Sequence, residues 1–264
     1  MHAEYLMGNE AIAMGAVAAG VNVVAGYPGT PSTEVLETVA RHNPDGKIHV
    51  EWSTNEKAGM EVAAGAAYSG ARALVTMKQV GLNVASDPLM SLVVLVADDP
   101  GPISSQTEQD TRHFASFAKV PCFDPASVQE AYEMIQEAFD FSERYHTPVF
   151  LRPTTRIDHG YASITVKDES EYRVHEPEGF VRDPARWVIF PRLSYRAHQE
   201  IERRNEELSE VFSSYARNQV EPGACRRGIA TQGVSYSYVA ETLAERAAEG
   251  KEMPRVLKVA TPFP

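Results

Sequence analysis

The sequence predicts an α/β fold, in which helices cover both faces of a parallel sheet, followed by a charged linker helix and the start of a second α/β unit. Short apolar runs such as residues 21–25 and 92–97 alternate with longer segments of helical character, and glycine or proline commonly separates them. Strands buried on both faces are continuous apolar runs, and their alternation with helices is typical of parallel sheets. These two observations fix the expected fold class.

The elements of the first domain follow in order from apolar runs and stop residues. Predicted strands cover residues 21–25, 47–52, 73–77, 92–97, 120–123 and 148–152, and predicted helices cover 11–19, 31–41, 54–69, 82–91, 110–118 and 127–145. Asn9 is the expected N-cap of the first helix and Thr30 that of the second, with Pro31 at its first helical position. Because parallel sheets bind ligands at the carboxyl ends of their strands, the candidate site should lie there.

One junction conflicts with this pattern. The helix predicted at 82–91 runs directly into the strand predicted at 92–97, with no Gly, Pro or Asn between Met90 and Leu92. Connections in such domains commonly take roughly 2 to 6 residues. We therefore expect that several connecting residues are missing near Ser91, through deletion or because a disordered stretch is not represented.

The second half of the chain is irregular at first. Residues 157–192 are rich in charge, proline and aromatic side chains, which indicates a linker, and the helix predicted at 193–218 carries its acidic run on a solvated face. A single strand–helix–strand unit at 228–260 cannot bury its own faces. We therefore expect part of a longer polypeptide, divided into a first domain at 1–160, a linker at 161–225 and a truncated second domain at 226–264.

Composition narrows the possible functions. The chain has 264 residues, a net charge of −11 and a pI near 5.2, which disfavours nucleic acid or an anionic membrane as partner. Cys122 and Cys225 form no CxxC pattern, so we expect neither a disulfide framework nor a metal site within this chain. The apolar residues 11–25 follow no basic leader, and a cytoplasmic location is expected.

Two local features suggest a ligand site. The turn after the first strand reads Tyr27-Pro28-Gly29-Thr30-Pro31-Ser32. Its glycine lets backbone approach a ligand, and a helix N-terminus attracts carboxylates, although the same residues also suit a simple strand-to-helix connection. Glu56 lies in the first turn of the helix predicted at 54–69, where an acidic residue alone complements the helix dipole.

Four segments in a fixed order resemble a known family. They are Tyr27-Pro28-Gly29-Thr30-Pro31-Ser32, Asn55-Glu56, Thr76-Met77-Lys78-Gln79-Val80-Gly81-Leu82-Asn83 and Ala97-Asp98-Asp99-Pro100-Gly101. Their order and spacing resemble the pyrimidine-binding domain of the 2-oxoacid:ferredoxin oxidoreductases, most closely the branch that oxidises indolepyruvate. The resemblance extends over nearly the whole chain. It implies a thiamine diphosphate enzyme that decarboxylates an aryl 2-oxo acid, reduces ferredoxin through iron–sulfur clusters and forms an acyl-coenzyme A.

The resemblance also implies residue roles. Glu56 becomes the catalytic residue, because the corresponding carboxyl group of such enzymes hydrogen-bonds a pyrimidine ring nitrogen of the cofactor. The residues expected around that ring are Gly81, Leu82 and Asn83. Thr30 is expected to face the substrate carboxylate. The other residues expected at the substrate pocket are Tyr27, Ser105 and Gln106.

The sequence departs from the family pattern in informative ways. It contains no Gly-Asp-Gly motif with a following Asn to hold magnesium and the diphosphate, and no four-cysteine cluster motif. Magnesium, the iron–sulfur clusters (4Fe-4S) and part of the cofactor site are therefore expected from a β-subunit or from further domains of the α-subunit, in a homo- or hetero-oligomer. The strand end Ala97-Asp98-Asp99 lacks the arginine of pyruvate-using relatives, which favours an aryl substrate.

Two other functions remain open at this point. The chain could be the small subunit of a non-oxidative 2-oxoacid decarboxylase, although the strand–helix–strand unit after Gly228 argues against it. It could also be a non-catalytic binding or assembly module that keeps the fold without the chemistry. Ferredoxin reduction, aldehyde release without an acceptor, and failure to bind thiamine diphosphate distinguish the three.

Overall fold

A six-stranded parallel sheet is the centre of the computed structural model, which describes residues 1–43, 45–86, 93–188 and 190–264. In chain order the strands are β1 (His2–Met7), β2 (Val23–Gly26), β3 (His49–Trp52), β4 (Ala73–Lys78), β5 (Val93–Ala97), β6 (Cys122–Phe123), β7 (Val149–Leu151), β8 (Tyr161–Val166), β9 (Gln219–Glu221), β10 (Gly228–Gln232) and β11 (Arg255–Val259). The sheet order is β3-β2-β4-β5-β7-β6, and every neighbouring pair is parallel.

Helices cover both faces of this sheet. In chain order they are α1 (Gly8–Ala18), α2 (Thr33–Arg41), α3 (Glu56–Tyr68), α4 (Gln79–Ala85), α5 (Thr111–Ala118), α6 (Val128–Tyr145), α7 (Thr155–Asp158), α8 (Pro184–Trp187), α9 (Pro191–Ser213) and α10 (Val234–Ala248). Leu74 of β4 packs with α1, α2 and α6, whereas Val75 faces the opposite cluster with α3, α4 and α5. Successive residues of a strand point to opposite faces, so the apolar runs serve both layers. The predicted α/β fold is confirmed.

The strands β1 and β8 were not predicted. β1 and β8 form an antiparallel pair in which His2 lies opposite Val166 and Met7 opposite Tyr161. β8 therefore lies inside the segment that the sequence predicts to be irregular. Only one of its faces is covered, with Ile164 buried and Thr165 exposed. Alternation over so few residues is a weak pattern, which explains why this strand escaped prediction.

The predicted N-caps were wrong at two helices. α1 begins at Gly8 after Met7, so Asn9 lies inside the helix with a buried side chain. α2 begins at Thr33 after Ser32, so Thr30 and Pro31 both precede the helix. α4 begins at Gln79, three residues before the predicted start, and is described as far as Ala85. The junction at Ser91 lies outside the described residues.

The chain after α8 returns to the edge of the sheet. Leu208 and Phe212 of α9 are buried, and the Phe212 ring meets Phe123 of β6 with 5.6 Å between ring centroids. Beyond α9, β10 and β11 are parallel, and β9 joins β11 as an antiparallel strand. Across the described residues, no helix is both long enough and apolar enough to cross a bilayer.

Candidate functional site

The candidate site lies where the central strands end. Gly26 of β2 is opposite Thr76 of β4, and Lys78 of β4 is opposite Ala97 of β5. The loops that leave these three parallel strands therefore share one edge of the sheet. The start of α3 reaches the same edge, because the Ser53 amide donates a 2.8 Å hydrogen bond to the Gly26 carbonyl. The four segments that carry the family resemblance thus converge in space.

Small residues let α3 approach the sheet closely. A Cβ on Gly26 would lie 2.4 Å from the Thr76 hydroxyl oxygen, and one on Gly59 would lie 3.4 Å from the Gly26 nitrogen. A larger side chain at Gly59 would push α3 away from β2, whereas one at Gly26 would clash with Thr76 of the neighbouring strand. This close packing sets the position of Glu56 at the N-terminus of α3.

The Glu56 carboxyl group rests directly on Gly81. Asn55 caps α3 by accepting a 2.9 Å hydrogen bond from the Ala58 amide, which fixes Glu56 in the first turn. A Cβ on Gly81 would lie 2.7 Å from both Cγ and Oε1 of Glu56. Any side chain at position 81 would therefore displace the Glu56 carboxyl group from this position. The structure brings together the predicted catalytic residue and one predicted cofactor residue.

The neighbours of Gly81 point in different directions. Leu82 is only 2 % exposed and packs in the apolar cluster between the sheet and α3, whereas Asn83 is exposed. Gln79, the first residue of α4, is buried and its side-chain amide donates a 3.1 Å hydrogen bond to the Thr107 carbonyl. This bond ties the start of α4 to the loop that follows β5.

Two side-chain hydrogen bonds stabilise the turn at residues 27–32. The Ser32 hydroxyl donates to the Gly29 carbonyl at 3.0 Å, and the buried Asn9 amide donates to the Pro31 carbonyl at 2.5 Å. Thr30 and Tyr27 are exposed, and the Thr30 hydroxyl has no hydrogen-bond partner among the described residues. The hydroxyl that was expected to cap a helix is therefore uncommitted at the candidate site.

The loop after β5 is organised by Asp99. Its carboxylate accepts hydrogen bonds from the Ser104 amide at 2.7 Å, the Ser105 amide at 2.8 Å and the Thr155 hydroxyl at 2.8 Å. Burial raises the pKa of Asp99, but these hydrogen bonds outweigh it and lower the pKa to about 2. The loop presents the two predicted pocket residues, Ser105 partly buried and Gln106 exposed.

Asp98, the other acidic residue at this strand end, belongs to a buried ionic cluster. Its carboxylate accepts hydrogen bonds from Nε of Arg152 at 2.6 Å and from the Thr111 amide at 3.0 Å, and Arg152 also reaches Asp124 at 3.3 Å. Burial raises the pKa of Asp98 and raises that of Asp124 to about 6, while Arg152 opposes both shifts. Sequence reasoning missed this cluster. Arg152, the charged last residue of the otherwise apolar strand predicted at 148–152, was the available sign.

Several buried polar atoms at this edge have no partner among the described residues. They are the Thr76 hydroxyl, Oε1 of Gln79 and the Ser105 hydroxyl. Buried polar atoms in native proteins are nearly always hydrogen-bonded, so these three require a partner such as water or a ligand.

Residues 14–186 match the protein family described as "Pyruvate flavodoxin/ferredoxin oxidoreductase, thiamine diP-bdg". The chain belongs to this family. It is 41% identical to the indolepyruvate oxidoreductase subunit IorA of Pyrococcus abyssi and 40% identical to that of Methanothermobacter thermautotrophicus, with 98% of this chain covered in each case. It covers 42% and 43% of those relatives, respectively. The chain thus spans about two fifths of their length.

More distant proteins are similar to a part of the chain or share its fold. The 2-oxoglutarate synthase subunit KorA of Methanocaldococcus jannaschii is 29% identical over 65% of this chain and 51% of its own length. The 2-oxoglutarate:ferredoxin oxidoreductase from Magnetococcus marinus, solved with 2-oxoglutarate, coenzyme A and succinyl-CoA bound, aligns with a TM-score of 0.78 at 18% identity. That alignment covers 98% of this chain and 54% of the solved one. At that identity the likeness supports the shared fold.

Proposed function

We propose that this chain forms the pyrimidine-binding wall of a thiamine diphosphate enzyme that oxidatively decarboxylates aryl 2-oxo acids. The proposed substrate is indolepyruvate or a close relative, the product is the acyl-coenzyme A, and the electron acceptor is ferredoxin. One observation carries the proposal, namely the Glu56 carboxyl group seated on Gly81 at the carboxyl edge of the sheet. The family match and the names of the similar proteins support the choice of reaction.

The proposal gives each residue at the edge a task. When bound, thiamine diphosphate supplies the electron sink that decarboxylation of a 2-oxo acid requires. Glu56 would hold a ring nitrogen of its pyrimidine through a hydrogen bond, and Gly81 leaves room for that contact. Leu82 and Asn83 would border the ring. The residues proposed around the substrate are Thr30, whose hydroxyl would donate to the carboxylate, with Tyr27, Ser105 and Gln106 at the rim.

The remaining parts of the enzyme are proposed to lie outside these residues. The relatives are more than twice as long, which leaves room for the magnesium and diphosphate site and for 4Fe-4S clusters. A β-subunit, ferredoxin and the rest of the α-subunit are the proposed partners. The proposal takes 1–160 as the pyrimidine domain, 161–225 as the linker and 226–264 as the start of the next domain. A cytoplasmic location accords with the two free cysteines, Cys122 and Cys225.

Replacement of the central carboxyl group tests the proposal. In the assembled enzyme with all subunits, Glu56→Gln should lower kcat by roughly 10²- to 10⁴-fold, as expected for loss of a group that takes part in proton transfer. The assay is reduction of ferredoxin or a viologen with indolepyruvate and coenzyme A. Glu61→Gln is the matched control, because Glu61 lies on the same helix, is exposed and pairs only loosely with Lys57 at 3.9 Å.

Other outcomes of this experiment have distinct meanings. Near-normal turnover by Glu56→Gln would contradict the assigned role. Aldehyde release without an electron acceptor by the native enzyme would indicate a non-oxidative decarboxylase, and failure of the assembled enzyme to bind thiamine diphosphate would indicate a non-catalytic module. Circular dichroism of each variant separates a loss of chemistry from a loss of fold.

A further inference from the structure

Lys78 occupies the centre of the edge where the candidate site lies. It is the last residue of β4, with β2 on one side and β5 on the other, and it stands opposite Ala97. Its backbone is extended, and α4 begins at the next residue. The side chain therefore leaves the sheet between the turn at 27–32 and the loop after β5, three positions before Gly81.

The stem of Lys78 runs toward the turn at 27–32. A Cβ on Gly29 would lie 3.2 Å from Cδ and 3.3 Å from Cγ of Lys78, with Cε at 3.6 Å. The methylene groups thus pass over the bare backbone of Gly29. Lysine commonly buries its stem in this way while its charged end stays accessible to polar partners. The contact brings the side chain alongside the residue that precedes Thr30.

The ammonium group of Lys78 has no partner among the described residues. The side chain is half-buried, yet no hydrogen bond or ion pair reaches it from the described residues. The other buried or half-buried lysines and arginines there do have such partners, for example Arg72 with Glu143 at 2.7 Å and Lys258 with Glu130. The chain has a net charge of −11, so acidic residues are plentiful. A half-buried cation left unpaired under these conditions is suited to an anion from outside the chain.

The nearest acidic residues along the neighbouring strand are already occupied. Asp98 accepts hydrogen bonds from Arg152 and Thr111, and Asp99 accepts them from the amides of the loop that it organises. Neither carboxylate is left to neutralise Lys78. On the other side of Lys78, the turn offers no acidic residue, and the uncommitted hydroxyl of Thr30 is a donor to anions as well.

We propose that Lys78 is a substrate-binding residue whose ammonium group pairs with the carboxylate of the 2-oxo acid. The proposal rests on the proposed function and names the cation of that site. A lysine and a hydroxyl from adjacent strand ends supply one charged and one neutral donor, which suits the two oxygens of a small carboxylate. The phosphate groups of coenzyme A and of thiamine diphosphate have the same charge chemistry, so the experiment must distinguish them.

Steady-state kinetics of the full enzyme test this assignment. Lys78→Met keeps the stem and removes the charge, and should raise KM for indolepyruvate roughly 10- to 100-fold, the range for a hydrogen bond to a charged group. The value of kcat should change little, because the contact forms in both the ground and transition states. KM for coenzyme A and Kd for thiamine diphosphate should stay within about twofold. Lys78→Arg, which keeps the charge, should restore most of the affinity.

Two inhibitors that differ only in having a carboxylate or an amide test the carboxylate contact directly. The native enzyme should bind indole-3-propionate more tightly than the neutral indole-3-propionamide, and Lys78→Met should lose that preference while Lys78→Arg keeps it. Lys47→Met is the matched control, because Lys47 is exposed, pairs with Asp45 at 2.9 Å and precedes β3 at the opposite edge of the sheet.

The possible results distinguish the role of Lys78 from the proposed function of the enzyme. Equal weakening of the acid and the amide, or an unchanged preference for the acid, would overturn the role of Lys78 while leaving the proposed function in place. A rise confined to the KM of coenzyme A or the Kd of thiamine diphosphate would overturn it in favour of a phosphate contact. Absence of indolepyruvate turnover by the enzyme with native Lys78 would overturn both proposals.

Discussion

Two polar clusters lie at the same edge of the sheet and differ in how their charges are satisfied. In the first, Asp98, Asp124 and Arg152 are buried and hydrogen-bonded to one another. In the second, Glu56 rests on a glycine and Lys78 has no partner among the described residues. Both clusters follow apolar strands and look alike in the sequence. Of these two clusters, the second is the one whose charged groups lack partners among the described residues and can therefore bind a ligand.

This contrast has a physical basis. A charge removed from water needs a partner with good geometry, because the cost of desolvation otherwise exceeds the Coulombic gain. The Arg152 cluster meets that condition within the chain and so joins three strand ends. Glu56 and Lys78 have no such partner among the described residues, and both side chains are only half-buried, so water or a ligand must supply their partners. The first cluster should therefore govern stability, and the second should govern activity.

The largest expected effect is on the stability of the first cluster. Arg152→Met removes the guanidinium that Asp98 and Asp124 share, and should lower the free energy of unfolding by about 3–5 kcal/mol. The pKa of both carboxyl groups is already raised by burial, and that of Asp124 is about 6. A carboxyl group whose pKa is raised in the folded state stabilises the fold at a pH below its unfolded pKa. That contribution is lost as the pH rises through the folded pKa. The loss in Arg152→Met should therefore be greater at pH 8 than at pH 5, as measured by denaturant unfolding.

An exposed arginine is the control for this variant. Arg203 pairs with Glu200 and Glu207 on the solvated face of α9, and such pairs contribute little because solvent screens them. Arg203→Met should leave the unfolding midpoint unchanged. If Arg152→Met were equally harmless, the division between a structural and a ligand-binding cluster would fail.

A smaller effect, on activity alone, is expected at the second cluster. Gly81→Ala would place a Cβ 2.7 Å from Cγ and Oε1 of Glu56, so the carboxyl group must shift. Displacing a reacting group typically lowers the rate on the order of 10²-fold. Gly65→Ala in α3, the helix that carries Glu56, is the control, because nothing lies within 4 Å of its added Cβ and alanine favours helix. Equal activity of the two variants would refute the contact.

The fold was predictable because its central strands are buried on both faces. Continuous apolar runs such as β5 stand out in a sequence, and the strands of the parallel sheet were found with boundary errors of a few residues. β1 and β8 were missed for a different reason. Each has one exposed face and pairs with a segment far away in the sequence, so neither carries a strong local pattern.

The candidate site was predictable to the level of motifs and no further. The order of the motifs correctly brought Glu56 and Gly81 to one place, because strand ends in a parallel sheet must meet. Which polar groups are satisfied depends on contacts between distant segments. Asn9 looked like an N-cap and instead holds the Pro31 carbonyl, and Lys78 gave no sign in the sequence of being unpaired.

The smallest effect concerns Asp99, which lies between the two clusters. Its lowered pKa of about 2 means that its ionised form stabilises the fold above the unfolded pKa near 3.8, and that this contribution disappears as pH falls toward 2. Asp99→Asn should cost about 1–2 kcal/mol at pH 6, because charged acceptors are lost while the amide oxygen still accepts a bond. Urea unfolding from pH 6 to pH 2 measures the difference between the two proteins.

That difference should shrink as pH falls, because asparagine does not titrate and protonated Asp99 resembles it. Asp45→Asn is the control, since Asp45 is exposed and paired only with Lys47. A difference that stays constant with pH would show that the Asp99 side chain holds the loop by shape alone. A difference that disappears in acid would show that its charge organises the loop carrying Ser105, and would group Asp99 with the structural cluster.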